Sequence, residues 1–424
     1  MKIITLNPKQ FDEYAKKHKY RNYFQSSQYA NTIAKQGFKV HYLGILDEFN
    51  KLIGATLIIY KDMFMNKKIA YAPRGILFDY TNAQMVNELA KKLISVLGKQ
   101  NFLILRMDPY IPATVRNKKG KIININNDVN TIMLNLKNAG FKYKGQNKFF
   151  ENEKNRFEAL VLLNNDIRTI YKSFSKRIRH KINRASKAGI TIHKDIDKNI
   201  DELYSFIKNK TSMPKEYYIN IVNNFNENCN IYYAILNSDA FVISAKERYE
   251  NEIDKNNKLA EKIQNIKYKS IPKKLLNYKM ESDKLINIYK NDLITATNIL
   301  KEYPKGLIIG GAMTIDFDNA SYLIVDGYNT KYKNLNCNYL IKWYIINESK
   351  TKGLKYFNMN AIVGEFQKKN PYSNLNDTKL EYNAIPTEYI GEFDLILNNF
   401  SYNIYKGLNK DKNYKLTYIS KKNP

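Results

Sequence analysis

Arginine is scarce in this chain, and its placement is the first chemical signal. Only ten of the 69 Lys+Arg residues are Arg, and five of those ten lie between Arg156 and Arg184. The centre of the cluster reads Lys172-Ser-Phe-Ser-Lys-Arg-Ile-Arg-His-Lys-Ile-Asn-Arg-Ala-Ser-Lys-Ala-Gly189. A 3.6-residue period puts Ile178, Ile182 and Ala185 on one face and Arg177, Lys181, Arg184 and Lys187 largely on another. Gly189 supplies a helix stop. Such a helix docks its apolar edge while its basic groups meet phosphate oxygens. A solvated charged face is the plainer alternative.

Other reactive groups are dispersed. His18, His41, His180 and His193 stand singly, and Cys229 and Cys337 form neither a disulfide framework nor a metal-ligand spacing. There is no phosphate-binding GxxxxGKS/T, no GxGxxG after a strand and no GxSxG. The expectation is therefore no metal and no nucleotide cofactor. The formal net charge of +29 points to polyanionic partners. Much of it is Lys, in a chain also rich in Asn, Ile and Tyr, a bias that matches AT-rich codon drift. The clustered Arg is outside that bias. With 44% hydrophobic residues the chain is too apolar for disorder, and its 424 residues suggest two or three domains. The amino terminus has no apolar core of signal-peptide length, and the best apolar runs, such as Leu52–Tyr60, are about half a membrane span. The reading is a cytoplasmic chain, peripheral to a membrane at most.

The elements that must position these groups repeat. Strands at 40–46, 52–60 and 69–75, a helix at 83–99 and a strand at 101–107 form one copy. Strands at 230–236, 307–317 and 321–327, a helix at 338–351 and a strand at 354–359 form the second. Gly54-Ala55 and Gly311-Ala312 occupy the same place in the two hairpins. The fold class is α/β (α+β): two domains of one plan, each a mixed sheet flanked by helices, at 1–152 and 153–395, with 396–424 packing back on the first. In the second copy the joint between the first two strands holds an insertion, 245–305. Tyr249, Ile253, Asn256, Ala260 and Ile263, then Ile286, Tyr289, Leu293, Ala296 and Leu300, show coiled-coil spacing around a turn at Ser270-Ile-Pro272. This predicts a helical coiled-coil arm, a spacer or self-association device on one reading and a grip on a large partner such as tRNA on the other.

The strand–helix order is similar to acyl-coenzyme A acetyltransferases, which open the helix with a glycine-rich loop that cradles pyrophosphate. The matching stretch of copy two, Lys331-Tyr-Lys-Asn-Leu-Asn-Cys-Asn338, has no glycine, nor has Asp79–Gln84 in copy one. Both argue against coenzyme A as donor.

Four segments resemble, in order and over nearly the whole length, the Fem family of peptidoglycan interpeptide-bridge aminoacyltransferases. They are Phe24-Gln-Ser-Ser-Gln-Tyr29 with Lys35-Gln-Gly-Phe38; Tyr71-Ala-Pro-Arg-Gly75; Ser175-Lys-Arg-Ile-Arg179 with Ala188-Gly189; and Lys355-Tyr-Phe-Asn358 through Gly364 with Glu388-Tyr-Ile-Gly-Glu-Phe-Asp-Leu395. The resemblance implies two tandem acetyltransferase-like domains. It implies transfer of an amino acid from aminoacyl-tRNA to the stem peptide of a cell-wall precursor, lipid II or its UDP-linked form, at the inner membrane face. Lys379, in Thr378-Lys-Leu-Glu-Tyr382, stands where the family has the Lys of an F-K-x-x-F segment and would stabilise the oxyanion; an ordinary surface Lys is the alternative. Asp108, in Met107-Asp-Pro-Tyr110, matches an acidic family position and would accept or relay the amine proton, or simply form a turn. Lys35 and Arg74 would contact the precursor diphosphate, with a strand-end ion pair as the alternative for Arg74. Phe38 and Tyr71 would line its sugar or peptide side. Lys210 or Lys215 stands in place of a family Arg ahead of Tyr217-Tyr218. Tyr322 and Tyr328 are cleft candidates, or core tyrosines. Lys176, Arg177, Arg179, Lys181, Arg184 and Lys187 would bind tRNA. The rival readings are a non-catalytic RNA-binding protein on a degenerate scaffold, and a transferase that modifies lipids or proteins from the same donor.

Overall fold

The structure is a computed structural model in which residues 1–62, 66–147, 149–266, 270–400 and 402–403 are described. The first half runs β1 (Lys2–Thr5), α1 (Pro8–Ala15), α2 (Ser27–Ala34), β2 (Lys39–Leu46), β3 (Leu52–Asp62), β4 (Lys68–Ala72), α3 (Ala83–Lys99), β5 (Phe102–Met107), β6 (Pro112–Arg116), β7 (Ile122–Ile125), α4 (Val129–Asn138) and β8 (Phe141–Tyr143). The second runs β9 (Phe157–Leu162), α5 (Ile167–Ser173), α6 (Lys176–Lys187), β10 (Ile190–Asp195), α7 (Asp201–Ile207), α8 (Lys215–Phe225), β11 (Cys229–Leu236), α9 (Ser238–Gln264), α10 (Lys273–Glu302), β12 (Leu307–Phe317), β13 (Ala320–Tyr328), α11 (Cys337–Thr351), β14 (Tyr356–Ile362), α12 (Ser373–Leu380), β15 (Ile385–Tyr389) and β16 (Phe393–Ile396).

The expected repeat is present. In each copy two antiparallel pairings lead through a helix to a parallel strand: β2-β3-β4-α3-β5 and β11-β12-β13-α11-β14. The copies differ at the parallel pair. β4 and β5 stay paired from Lys68↔Phe102 to Ala72↔Met107. β13 and β14 pair only from Ala320↔Tyr356 to Tyr322↔Asn358, then splay apart. A bulge accompanies the splay: Met313 faces Val325 while Thr314 faces Leu323, so Ile324 is an extra residue. Bulges re-aim the side chains beyond them. Ile324 and Val325 pack in a core shared with the first domain, while Leu323 and Tyr328 pack toward α11.

The two sheets exchange strands across the boundary expected at residue 152. β16 lies between β5 and β8 in the seven-stranded sheet, and β6 and β7 extend the nine-stranded sheet beyond β15. Phe11, Tyr29, Ile33 and Tyr71 share one core with Ile207, Tyr218, Met313 and Ile315, so no water-filled gap separates the copies there. After β16, Leu397 N–H donates to Leu103 O at 2.9 Å and Tyr402 packs on Ile69, Leu103 and Ile104, all in the first domain. The expectation for residue 401 and residues 404–424 falls outside the described residues.

The insertion is a pair of long helices, and it starts earlier than expected. α9 begins at Ser238 rather than 245, with Asn237 accepting the Ala240 N–H at 2.8 Å as its cap. α9 and α10 pack on each other. Part of their seam is polar: Asn256 donates to Ser282 Oγ at 3.1 Å, and Ser282 donates to Glu252 Oε1 at 2.7 Å. At 27 residues, α9 reaches roughly 40 Å.

Candidate functional site

α6 is positioned as its pattern dictates. Ser175 caps it by accepting the Ile178 N–H at 3.2 Å. It ends at Gly189, whose φ of +80° suits glycine and whose added Cβ would meet Ala240 Cβ at 2.7 Å. Ile178, Ile182 and Ala185 are buried, and the edge they form packs α6 against α11. Burying each isoleucine stabilises by about 1.5–3 kcal/mol. Lys176, Arg184 and Lys187 remain exposed. Arg177 is held by Glu381 at 2.7 Å, and Lys181 donates to Tyr339 Oη at 2.8 Å. Arg179 is half-buried, and its Nε has no hydrogen-bond partner.

A cavity of about 200 Å³ opens between the copies, walled by Tyr23, Phe24, Arg74, Glu158, Tyr322 and Asn358, among others. Tyr322, a cleft candidate, is here; Tyr23 meets its ring edge-on at 5.1 Å. Arg74 is also here, but its guanidinium already has partners. Nη2 donates to Glu158 Oε1 at 2.6 Å and Asn155 O at 2.8 Å, and Nη1 lies 3.4 Å from Asp108 Oδ2. It further packs 5.2 Å from the stacked rings of Tyr110 and Tyr389. This is the strand-end ion pair that the sequence left open beside a phosphate contact.

Asp108 sits behind that wall rather than in it. Its Oδ1 accepts from Tyr71 Oη at 2.9 Å and Arg74 N–H at 2.7 Å. Burial pushes its carboxyl up to about 6, against the pull of Arg74. Tyr71 is wholly buried and holds Asp108 instead of lining the cavity. Glu158, which sequence reasoning missed, presents a carboxylate to the cavity, whose lining also includes Glu153. The Glu158 Oε2 accepts from Tyr110 Oη at 2.9 Å and Asn358 Nδ2 at 2.7 Å. Nothing in its local sequence marks it; the pairing of Glu158 with Ala361 on β14 and with Thr387 on β15 brings it here.

Lys379 reaches the splay. From α12 its ammonium donates to Ala361 O on β14 at 2.6 Å. Asp326 on β13 is near enough to oppose the fall in its pKa, without ion-pair contact. Asp326 is itself engaged by Lys342 of α11 at 2.5 Å, and its side chain is 31% exposed. Burial pushes Lys379 down to about 8, with Lys342 adding to the fall and Asp326 and Glu158 opposing it. The result is an ammonium close to its titration point at the splay, which suits stabilising an oxyanion.

A second pocket, of about 510 Å³, is lined by Lys181, Arg184, Tyr328, Lys333, Asn336 and Tyr339, with two further asparagines. It lies where an acyl-coenzyme A enzyme would hold pyrophosphate, at the start of α11.

The other chosen residues are not brought to these places. Lys35 is exposed at the end of α2, and Phe38 is buried beneath the Lys61 ammonium, 4.1 Å from its ring centre. Lys215 pairs with Asp201 at the surface. Tyr217 packs on Tyr218 in the shared core. Lys210 lies 4.9 Å over the Tyr328 ring, at the splay rather than in the cavity. Among the described residues, no group of three or more His, Cys, Asp and Glu is placed to hold a metal ion.

Two acyltransferase-like sheets in tandem, with an ammonium at the splayed strands of the second, define a tandem acyltransferase-fold protein. The chain belongs to the FemAB family, whose match spans residues 6–410. It is 24% identical over 422 residues to aminoacyltransferase FemA of Staphylococcus epidermidis, covering 97% of this chain and all of that one. It is 22% identical to aminoacyltransferase FemA of Staphylococcus aureus, covering 97% and 99%. The crystal structure of FemX superposes with a TM-score of 0.71 at 18% identity, covering 95% of this chain and 99% of FemX.

Proposed function

We propose that this protein is an aminoacyltransferase that adds an amino acid from aminoacyl-tRNA to the stem peptide of a peptidoglycan precursor, lipid-linked or UDP-linked. What supports the reading is the Lys379 ammonium on Ala361 O of β14, in the sheet whose β13 lends Tyr322 to the carboxylate-bearing cavity and Tyr328 to the basic pocket. The acceptor amine enters from the Glu158 side and attacks the ester carbonyl. A C–N bond forms, the C–O bond to the ribose breaks, and the amine proton leaves with the ribose oxygen. Lys379 faces the oxyanion between these steps. Asp108 acts through Arg74 and Tyr71, holding the cavity wall.

The β6–β7 hairpin supports docking at an anionic membrane face. Ile122, Ile123 and Ile125 are 40%, 60% and 52% exposed, next to Lys118, Lys119 and Lys121. Apolar side chains beside basic ones suit a lipid interface. No helix among the described residues is long and apolar enough to cross a membrane.

The deciding assay combines purified protein, labelled aminoacyl-tRNA pools and lipid II or the UDP-linked precursor. Label in the precursor is expected. No transfer with any amino acid sinks the reading; retained tRNA binding would then favour the non-catalytic RNA-binding alternative, and label in lipid or protein the third.

A further inference from the structure

A lysine ammonium rides on a flexible four-carbon stem, so the place of Lys379 depends on how α12 is fixed. The buried side chains of α12 are Asn376 and Leu380, and no side chain caps its first turn. A polar group therefore carries much of the anchoring. Asn376, 4% exposed, accepts the Val363 N–H through Oδ1 at 2.9 Å. Its Nδ2 donates to Val363 O at 3.0 Å and to Glu365 O at 3.3 Å. Both ends of the amide are bonded, as burial of an amide requires, and every partner is backbone just past β14.

Asn376 and Lys379 lie one turn apart on the same face of α12. Their partners also follow one another: Val363 takes the amide, and Ala361 O takes the ammonium at 2.6 Å. β14 is bent at this place. Asn358 pairs with Leu160 and Ala361 with Glu158, which leaves an extra residue between them, and Asn360 takes a φ of +65° that asparagine tolerates. The last pairing of β13 with β14 is already behind, at Tyr322↔Asn358, so side chains of α12 meet the backbone beyond it. The far end of α12 is tied as well. Tyr382 N–H donates to Lys379 O at 3.1 Å, and Tyr382 Oη donates to Tyr339 O of α11 at 3.0 Å. The Tyr382 ring is wholly buried, 5.2 Å from that of Phe174. The first aromatic of the F-K-x-x-F segment is absent here: Thr378 turns its hydroxyl back to Asn374 O at 2.6 Å.

We propose that Asn376 and Tyr382 are positioning residues that hold the Lys379 ammonium at Ala361 O, the first by pinning α12 to the end of β14, the second by pinning the turn after α12 to α11. This rests on the reading of Lys379 as the oxyanion partner and goes further by naming what fixes it. Neither residue lines the cavity or the basic pocket; both act through Lys379.

The test is a double-mutant cycle read by transfer from aminoacyl-tRNA to the lipid- or UDP-linked precursor. Asn376→Ala and Tyr382→Phe are made singly, each with Lys379 present and each with Lys379→Met. With Lys379 present, each should lower the single-turnover rate by about tenfold or more, the scale set by a small misplacement of a reacting-site group. KM for either substrate should stay within about twofold. In the Lys379→Met background the same substitutions should change the rate by less than about twofold, because their effect passes through the missing ammonium. Losses of similar size in both backgrounds overturn the proposal, since the residues would then serve the fold at large. An unchanged rate with Lys379 present overturns it too, as does a loss confined to KM. Tyr382→Phe keeps the buried ring and decides alone if Asn376→Ala does not fold. A wild type without transfer, or a Lys379→Met variant of full activity, overturns the underlying reading instead, a distinguishable failure.

Discussion

Lys379 and Asp326 face each other across the gap between β14 and β13 without forming an ion pair: the ammonium bonds the Ala361 carbonyl at 2.6 Å, and the carboxylate bonds Lys342 at 2.5 Å. Each charge influences the other: Asp326 opposes the fall in the Lys379 pKa, and Lys379 helps hold the Asp326 carboxyl down.

Lys379→Met should lower kcat by about 10²–10³, the usual loss when one oxyanion donor is removed, while tRNA affinity stays nearly unchanged. Single-turnover transfer and filter binding separate the two. Equal losses would make Lys379 a binding residue.

Because Lys379 is pushed down to about 8, a cation-dependent kcat should fall as pH rises through about 8. Lys379→Arg, whose guanidinium stays charged, should abolish that fall. Asp326→Asn should move it to lower pH by about one unit, since an opposing charge is lost while Lys342 remains. An unshifted limb in Asp326→Asn would show that the two charges are uncoupled.

Neutralising Arg177, Arg179 and Arg184 together should weaken tRNA binding and flatten its salt dependence. The slope of log K against log salt should drop by up to about 3 if each meets one phosphate. An unchanged slope would count against this face of α6.

Glu392 is buried, accepts the Glu153 N–H at 2.6 Å, and is pushed up to about 7 by burial. A carboxyl raised in the folded state favours folding below its unfolded pKa and loses that contribution as pH rises through the folded value. Stability should therefore fall between about pH 4.5 and 7, by up to about 3 kcal/mol. Thermal unfolding at pH 5.5 and 8 should show Glu392→Gln losing less than wild type; parallel losses would refute the assignment.

Ile123→Asp combined with Lys119→Glu should reduce co-sedimentation with anionic phosphatidylglycerol vesicles at least severalfold, leaving the fold intact because both side chains are exposed. Undiminished binding would place the membrane contact elsewhere.

The local pattern determined a good deal by itself. The β2–β3 and β12–β13 hairpins, α3 and α11 were legible because apolar period, caps and turns act over a few residues. The buried edge of α6 was legible for the same reason. Lys379 was marked by the motif resemblance and Tyr322 by its place at a strand end; the fold puts the first on the Ala361 carbonyl and the second in the cavity wall.

Tertiary structure decided which charges are available. Arg74 and Asp108 stand in conspicuous motifs, yet the fold joins them to Glu158 and Tyr71 in a buried network. Glu158, Asp326 and Lys342 carry no local mark. They matter because β13 and β14 part after Tyr322 and Asn358, and because the Ile324 bulge re-aims the rest of β13. The swap of β16 for β6–β7 between sheets was likewise invisible, since strand partners far apart in sequence are chosen by packing rather than by local propensity. Burial, partners and the field of neighbouring charges belong to the folded chain, and they turn a lysine among many into a candidate oxyanion partner.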